Sequence, residues 1–185
     1  MWKEQGVQFI HSITKLLELL LDYRSVMAGD ENRDKRMSCT VNLLRFYKED
    51  INRSEMYFRY IYKLCDLHIP AENFTEAGFT LKLHADSLSW SRNPIPAAAA
   101  VLPPCLPLAS GVAPPETERQ LKERLYLSII DLFDKGKCWE EGIPLIKELA
   151  AFYEKSFDYA KLSSITVSPA TLLLFLSHTP ALHVS

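Results

Sequence analysis

Histidines and cysteines are the side chains of this sequence best suited to nucleophilic, acid–base or metal chemistry. They are His11, His68, His84, His178 and His183, with Cys39, Cys65, Cys105 and Cys138. None of them has the short spacing to a second ligand that is typical of zinc sites. His68 and His84 fall on the two helices of one predicted hairpin and could approach each other, although histidines without a ligand role are the more common outcome.

The acidic and glycine patterns do not indicate a catalytic site either. Glu140 and Glu141 are adjacent carboxylates, but neighbouring residues of a helix do not face each other. The sequence contains no glycine-rich phosphate loop and no nucleophile elbow. We therefore expect no catalytic residue, no cofactor and no bound metal, and we interpret the chain as an interaction module.

Length and charge narrow the class of protein. The chain has 185 residues and a formal net charge of −2, which is typical of one globular domain and argues against nucleic-acid binding. The widely spaced cysteines favour a reduced, cytoplasmic protein. Polar residues interrupt the apolar N-terminal run, so we expect no signal peptide, and no segment is apolar enough for a membrane span.

The stretch from Met56 to Trp90 predicts two amphipathic helices joined by a turn. Ile69-Pro70 ends the first helix because proline lacks an N–H. Asn73, followed by Glu76, resembles a capping box at the start of the second helix. The first helix places one set of side chains on a single face, namely Tyr57, Tyr60, Ile61, Leu64, Leu67 and His68.

A second copy of this hairpin follows at a shift of about 65 residues. Leu64 corresponds to Ile129, Leu67 to Leu132, Phe74 to Trp139 and Leu81 to Ile146. We predict an all-α fold of antiparallel helical hairpins stacked in a repeat-like layer, similar to TPR or ARM repeats. Chance similarity between amphipathic helices is the alternative. The predicted core consists of Leu64, Leu67, Phe79, Leu81, Ile129, Leu132, Trp139 and Leu149.

Further helices are predicted on both sides of the first hairpin. A helix over residues 7–27 has an apolar stripe wide enough to be buried on two sides, and a second helix covers residues 39–50. Ser54 is the predicted N-cap of the third helix. Thr117 and Gln120 form a capping box, and Gly136 is a C-cap signal.

Composition divides the chain into residues 1–90, 91–116, 117–163 and 164–185. The segment from Ser91 to Pro115 holds seven of the eleven prolines, which predicts a flexible connection. Pro104 to Pro107 match the P-x-x-P pattern of peptides that bind SH3-type modules, but no arginine flanks the pattern. Residues 164–185 contain no Lys, Arg, Asp or Glu and do not resemble the helical layers.

Three sequence motifs resemble the second DOCK homology region (DHR-2) of the dedicator-of-cytokinesis family. They are KLCDLH from Lys63, NFTEA from Asn73 and FDKGKCWE from Phe133, and the resemblance covers most of residues 15–163. The family consists of guanine-nucleotide exchange factors for Rho-family GTPases, and the pattern is most similar to its Rac-directed members. Because the resemblance stops at Ser163, it implies a truncated member with the first helical lobe and without the catalytic lobes.

In that family the first lobe supports the other lobes and mediates dimerisation. The resemblance therefore implies a homodimer, or a heterodimer with a longer family member, and contact with a GTPase only through the absent lobes. We assign a candidate dimer surface to Leu88, Trp90, Leu121 and Tyr126. Packing of these residues within one chain is the alternative arrangement. The alternative function is a helical-repeat adaptor without a link to GTPases.

Overall fold

Seven α-helices dominate the computed structural model, which describes residues 2–27, 32–95 and 117–166. They are α1 (Trp2–Val26), α2 (Arg33–Glu49), α3 (Ser54–His68), α4 (Phe74–Ala85), α5 (Glu118–Lys135), α6 (Trp139–Lys155) and α7 (Tyr159–Thr166), and a short 3-10 turn, Ile69–Ala71, follows α3. The described residues contain no strand, only an isolated bridge between Pro94 and Thr117. The all-α prediction is confirmed. The predictions for residues 96–116 and 167–185 fall outside the described residues.

Each helix packs chiefly on the next helix along the chain, from α1 through to α7. One core, shared by α2 to α7, is built from the inward side chains of these helices. Corresponding positions of the two hairpins have similar burial, since Leu64 and Ile129 are both buried, as are Leu81 and Ile146. The stacking of the hairpins as true repeats stays a prediction.

Three of the turns between helices share one backbone geometry. Glu72, Lys137 and Phe157 each adopt a left-handed conformation, with φ of 59°, 58° and 56°. The next N–H in each turn bonds back five residues, as from Cys138 N to Phe133 O at 2.9 Å. These are Schellman-type helix ends, which satisfy the last carbonyls of a helix. Glu72 and Lys137 are related by the same offset as Leu64 and Ile129, so the turn recurs with the hairpin.

The predicted helix starts agree only in part with the structure. Thr117 and Gln120 form the complete capping box at the start of α5. Asn73 is the N-cap of α4 but makes no side-chain capping bond, so the capping-box prediction there is wrong. Ser54 is the first residue of α3, and Arg53 precedes it as N-cap.

Two glycines allow α4 and α5 to approach each other closely. Gly136 is the C-cap of α5, but its backbone is right-handed, and Lys137 takes the left-handed position instead. A Cβ at Gly136 would lie 2.9 Å from the backbone nitrogen of Thr75, in the first turn of α4. A Cβ at Gly78 would lie 2.7 Å from the ring of Phe133. The packing at both positions therefore requires a residue without a side chain.

Helix α1 is buried on one side only, which differs from the expectation of two buried sides. Leu16, Leu19, Leu20 and Tyr23 pack against the core, and none of the α1 residues is fully buried. Most contacts to α1 come from α2, and Tyr23 also meets Tyr60 of α3, with ring centroids 6.0 Å apart. The second apolar side of α1 therefore faces outward.

Most of the predicted core residues lie in the interior. Leu64, Leu81, Ile129, Leu132 and Leu149 are buried, Trp139 is half-buried against the core, and Leu67 is half-buried. Phe79 is 43% exposed, so its assignment to the core is wrong. The inward stripe of α4 contains Ala77 and Leu81. Phe79 lies two residues from each, about 200° around the helix, where its ring meets that of Phe133 edge-on at a centroid distance of 5.1 Å and is otherwise exposed.

Candidate interaction surface

The segment that follows α4 runs along the start of α5 and is bonded to it. Lys122 Nζ donates to Leu88 O at 3.1 Å, and Ser91 Oγ donates to Glu118 Oε2 at 2.8 Å. The backbone N–H of Glu118 donates to Asn93 O at 3.0 Å. These bonds place residues 88–95 directly beside the N-terminus of α5.

The candidate dimer residues lie where this segment meets α5. Leu121 is 0% exposed, and Leu88 and Tyr126 are also buried. Trp90 is partly buried against the same core. Because these side chains pack on each other within one chain, they do not form an exposed apolar surface. This arrangement agrees with the stated alternative of packing within one chain. In sequence, a cluster of large apolar residues fits either arrangement.

Glu148 is the acceptor at the centre of a polar network on α6. Trp90 Nε1 donates to Glu148 Oε1 at 2.6 Å, and the hydroxyl of Tyr126 donates to Oε2 at 2.9 Å. Lys122 Nζ lies 3.5 Å from Oε1. Partial burial raises the pKa of Glu148, but the bonds from Trp90 and Tyr126 and the charge of Lys122 outweigh it, so the pKa lies below its usual value. Glu148 therefore stays ionised.

A second network attaches α7 to α5 and α6. The hydroxyl of Tyr153 donates to Glu123 Oε1 at 2.8 Å, and Lys161 Nζ donates to the same oxygen at 2.7 Å. Burial, followed by the bond to Glu123, raises the pKa of Tyr153 above its usual value. Ile165 of α7 is buried, so the helical layer continues beyond residue 163, where composition placed a boundary.

His84 is fully buried within the α3–α4 hairpin. Its Nδ1 shares a hydrogen bond with the hydroxyl of Tyr62, and its ring stacks on Phe58 at a centroid distance of 4.1 Å. Burial lowers the pKa of His84 to about 4. His84 thus pairs with a tyrosine rather than with His68. Among the described residues, no group of three or more His, Cys, Asp or Glu side chains is arranged to hold a metal ion.

The exposed apolar side chains concentrate on α1. Phe9, Ile13, Leu17 and Leu21 follow each other at intervals of one turn, and Phe9 and Leu17 are 65% and 55% exposed. We call these four residues the outer α1 face. A smaller exposed pair, Phe79 and Leu83, lies on α4. The sequence indicated the wide stripe on α1 but gave no sign of which side would remain uncovered.

The sequence of this chain matches one family model and several known proteins. Residues 117–173 match the family model described as DHR-2, lobe A. The chain is 49% identical over 164 residues to dedicator of cytokinesis protein 3 of Mus musculus and of Homo sapiens, covering 89% of this chain and 8% of each relative. It is 46% identical over 171 residues to dedicator of cytokinesis protein 4 of Homo sapiens, covering 92% of this chain and 8% of the relative.

The extent of the match is informative in two ways. The alignments include both predicted hairpins, because they cover about nine-tenths of this chain. The chain spans less than a tenth of the length of these relatives. No helix in the described part of the chain is long and apolar enough to cross a membrane. By sequence, the chain belongs to the dedicator-of-cytokinesis family and includes sequence of DHR-2 lobe A.

Proposed function

We propose that this chain is the helical scaffold of a guanine-nucleotide exchange region that acts on a Rho-family, Rac-like GTPase. The observation that carries the proposal is the 49% identity to dedicator of cytokinesis protein 3 over 89% of the chain. Such identity across the whole helical layer supports a shared architecture and a shared role. The charges on α5 fit a scaffold, since the buried Lys122 and Glu123 both pair with groups on α6, namely Glu148, which is partly exposed, and the hydroxyl of Tyr153.

A scaffold of this kind does not catalyse exchange by itself. Exchange is accelerated only by groups that bind the nucleotide-free GTPase better than the loaded one. The described polar networks lie between helices and hold the lobe together. We expect the purified chain to leave the rate of GDP release from Rac unchanged in a fluorescent-nucleotide assay, with full-length dedicator of cytokinesis protein 3 as positive control. A concentration-dependent acceleration by the chain would contradict the scaffold assignment.

Self-association is the second part of the proposal, and the outer α1 face replaces the surface first assigned by sequence. Two antiparallel copies of α1, related by a two-fold axis between Ile13 and Leu17, place Phe9 of each copy opposite Leu21 of the other. Such an isologous contact uses the same face twice. It would cover the apolar side chains that the single chain leaves exposed.

Analytical ultracentrifugation tests this contact. We expect the parent chain to form a dimer at micromolar concentration and Leu17→Glu to give a folded monomer, because the charge enters the interface in both copies. His11→Glu is the matched control, since His11 is exposed on the polar side of the same helix. A parent chain that stays monomeric, or a control that dissociates equally, would refute the α1 contact. The scaffold assignment would be unaffected by that result, because the exchange assay tests it separately.

A further inference from the structure

A cleft of about 450 Å³ opens between the segment after α4, the start of α5 and the C-terminal half of α6. Trp90 and Phe152 line it and stack face to face, with ring centroids 4.4 Å apart and an interplanar angle of 16°. We call this stacked pair the aromatic floor. Both rings are half-buried, so each retains an accessible part. An aromatic surface of this kind can bind an apolar side chain.

The charges around this cleft are mainly positive. Arg92, Arg119 and Lys155 contribute to its walls. The guanidinium of Arg119 lies 4.3 Å from the centroid of Phe152, which fixes it over the aromatic floor. None of the three cations forms an ion pair with a described residue.

Glu148 is the acidic residue of the cleft lining, but its charge is already engaged. Its two oxygens accept hydrogen bonds from Trp90 and Tyr126, and the ammonium of Lys122 lies 3.5 Å away. The cleft therefore presents an excess of cations beside an aromatic floor. A ligand complementary to it carries carboxylates and at least one apolar side chain.

We propose that this cleft binds an acidic peptide segment of a partner protein. The carboxylates of the peptide pair with Arg92, Arg119 and Lys155, and an apolar side chain of the peptide packs on Trp90 and Phe152. This interaction is independent of the proposed exchange-region scaffold, because it uses a different surface from the outer α1 face and requires no GTPase.

Fluorescence anisotropy with a labelled decapeptide of alternating glutamate and leucine tests the proposal. We expect saturable binding, and we expect Arg119→Gln to weaken it about tenfold, as for the loss of one charge-assisted bond. Arg45→Gln is the matched control, because Arg45 is an exposed arginine on α2, away from the cleft. It should bind like the parent chain.

A second variant distinguishes a loss of binding from a change in the fold. Lys155 is exposed at the rim, and Lys155→Gln should weaken binding about threefold, as expected for an exposed ion pair, with an unchanged melting temperature. A peptide in which lysine replaces each glutamate should not bind. The proposal is overturned by absence of binding, by equal binding of the lysine peptide, by unchanged affinity in both variants, or by an oligonucleotide that displaces the peptide at lower concentration.

Discussion

Acid should destabilise this fold through His84. The ring is buried, its Nδ1 is bonded to Tyr62, and its Nε2 has no hydrogen-bond partner among the described residues. Protonation would place a positive charge and a further N–H donor in the interior, where desolvation opposes the charge. The folded chain therefore favours the neutral ring, and the pKa of His84 falls from 6.5 to about 4.

The sign and size of the effect follow from the two pKa values. A pKa that is lower in the folded state means that the unfolded chain binds the proton more readily, so stability is full above the unfolded pKa of 6.5 and falls as pH approaches 4. The unfolding free energy should decrease by about 2 kcal/mol between pH 7 and pH 5, and by about 3 kcal/mol on reaching pH 4. This is a large share of the stability of a small domain.

Urea unfolding of the parent chain and of His84→Asn across this pH range measures the effect. Asparagine retains an acceptor toward Tyr62 but does not titrate, so we expect His84→Asn to be less stable at neutral pH and to have a flatter pH profile. His68→Asn is the control. Partial burial also lowers the pKa of His68, with Glu76 opposing, so its removal should flatten the profile less. If His84→Asn retains the full pH dependence of the parent, the account of His84 is wrong.

Two further predictions concern packing. Ile129→Ala should lower the unfolding free energy by about 2–5 kcal/mol because it leaves a cavity in the core, whereas Phe79→Ala should cost about 1 kcal/mol or less. Equal losses in denaturant titrations would contradict the assigned burial. Leu121→Glu should cost about 3–5 kcal/mol and unfold the chain instead of giving a folded monomer. Leu127→Glu, at an exposed position of the same helix, should remain folded as measured by circular dichroism. If Leu121→Glu and Leu127→Glu are equally folded, the assigned burial of Leu121 is refuted.

Local sequence patterns were sufficient to predict the helices and one of their caps. The complete capping box at Thr117 was identifiable because both of its bonds join residues three positions apart. The offset between Leu64 and Ile129 also paired side chains that are buried in both hairpins, such as Leu81 and Ile146. These features depend on the period of a helix and on contacts within one turn, and both can be read from a short window of sequence.

The remaining features depend on contacts between distant segments. A leucine at position 88 or 121 fits a contact with a second chain as well as a contact within its own chain. Their burial within one chain could therefore not be inferred from residue type. The exposed Phe79 was misassigned because its helix is apolar around most of its circumference. Gly136 is the C-cap of α5 as predicted, but the close approach of Thr75 from another helix could not be inferred from the local sequence.

Helix α5 organises the lobe more than the α3–α4 hairpin does. Its consecutive residues Lys122 and Glu123 are both buried, and each connects α5 to other elements. Lys122 reaches Leu88 O and Glu148, whereas Glu123 accepts bonds from Tyr153 and Lys161. In sequence the pair resembles solvent-facing charges on an amphipathic helix. Because an unpaired buried charge is costly, these partners constrain how the segment after α4, α6 and α7 are arranged around α5.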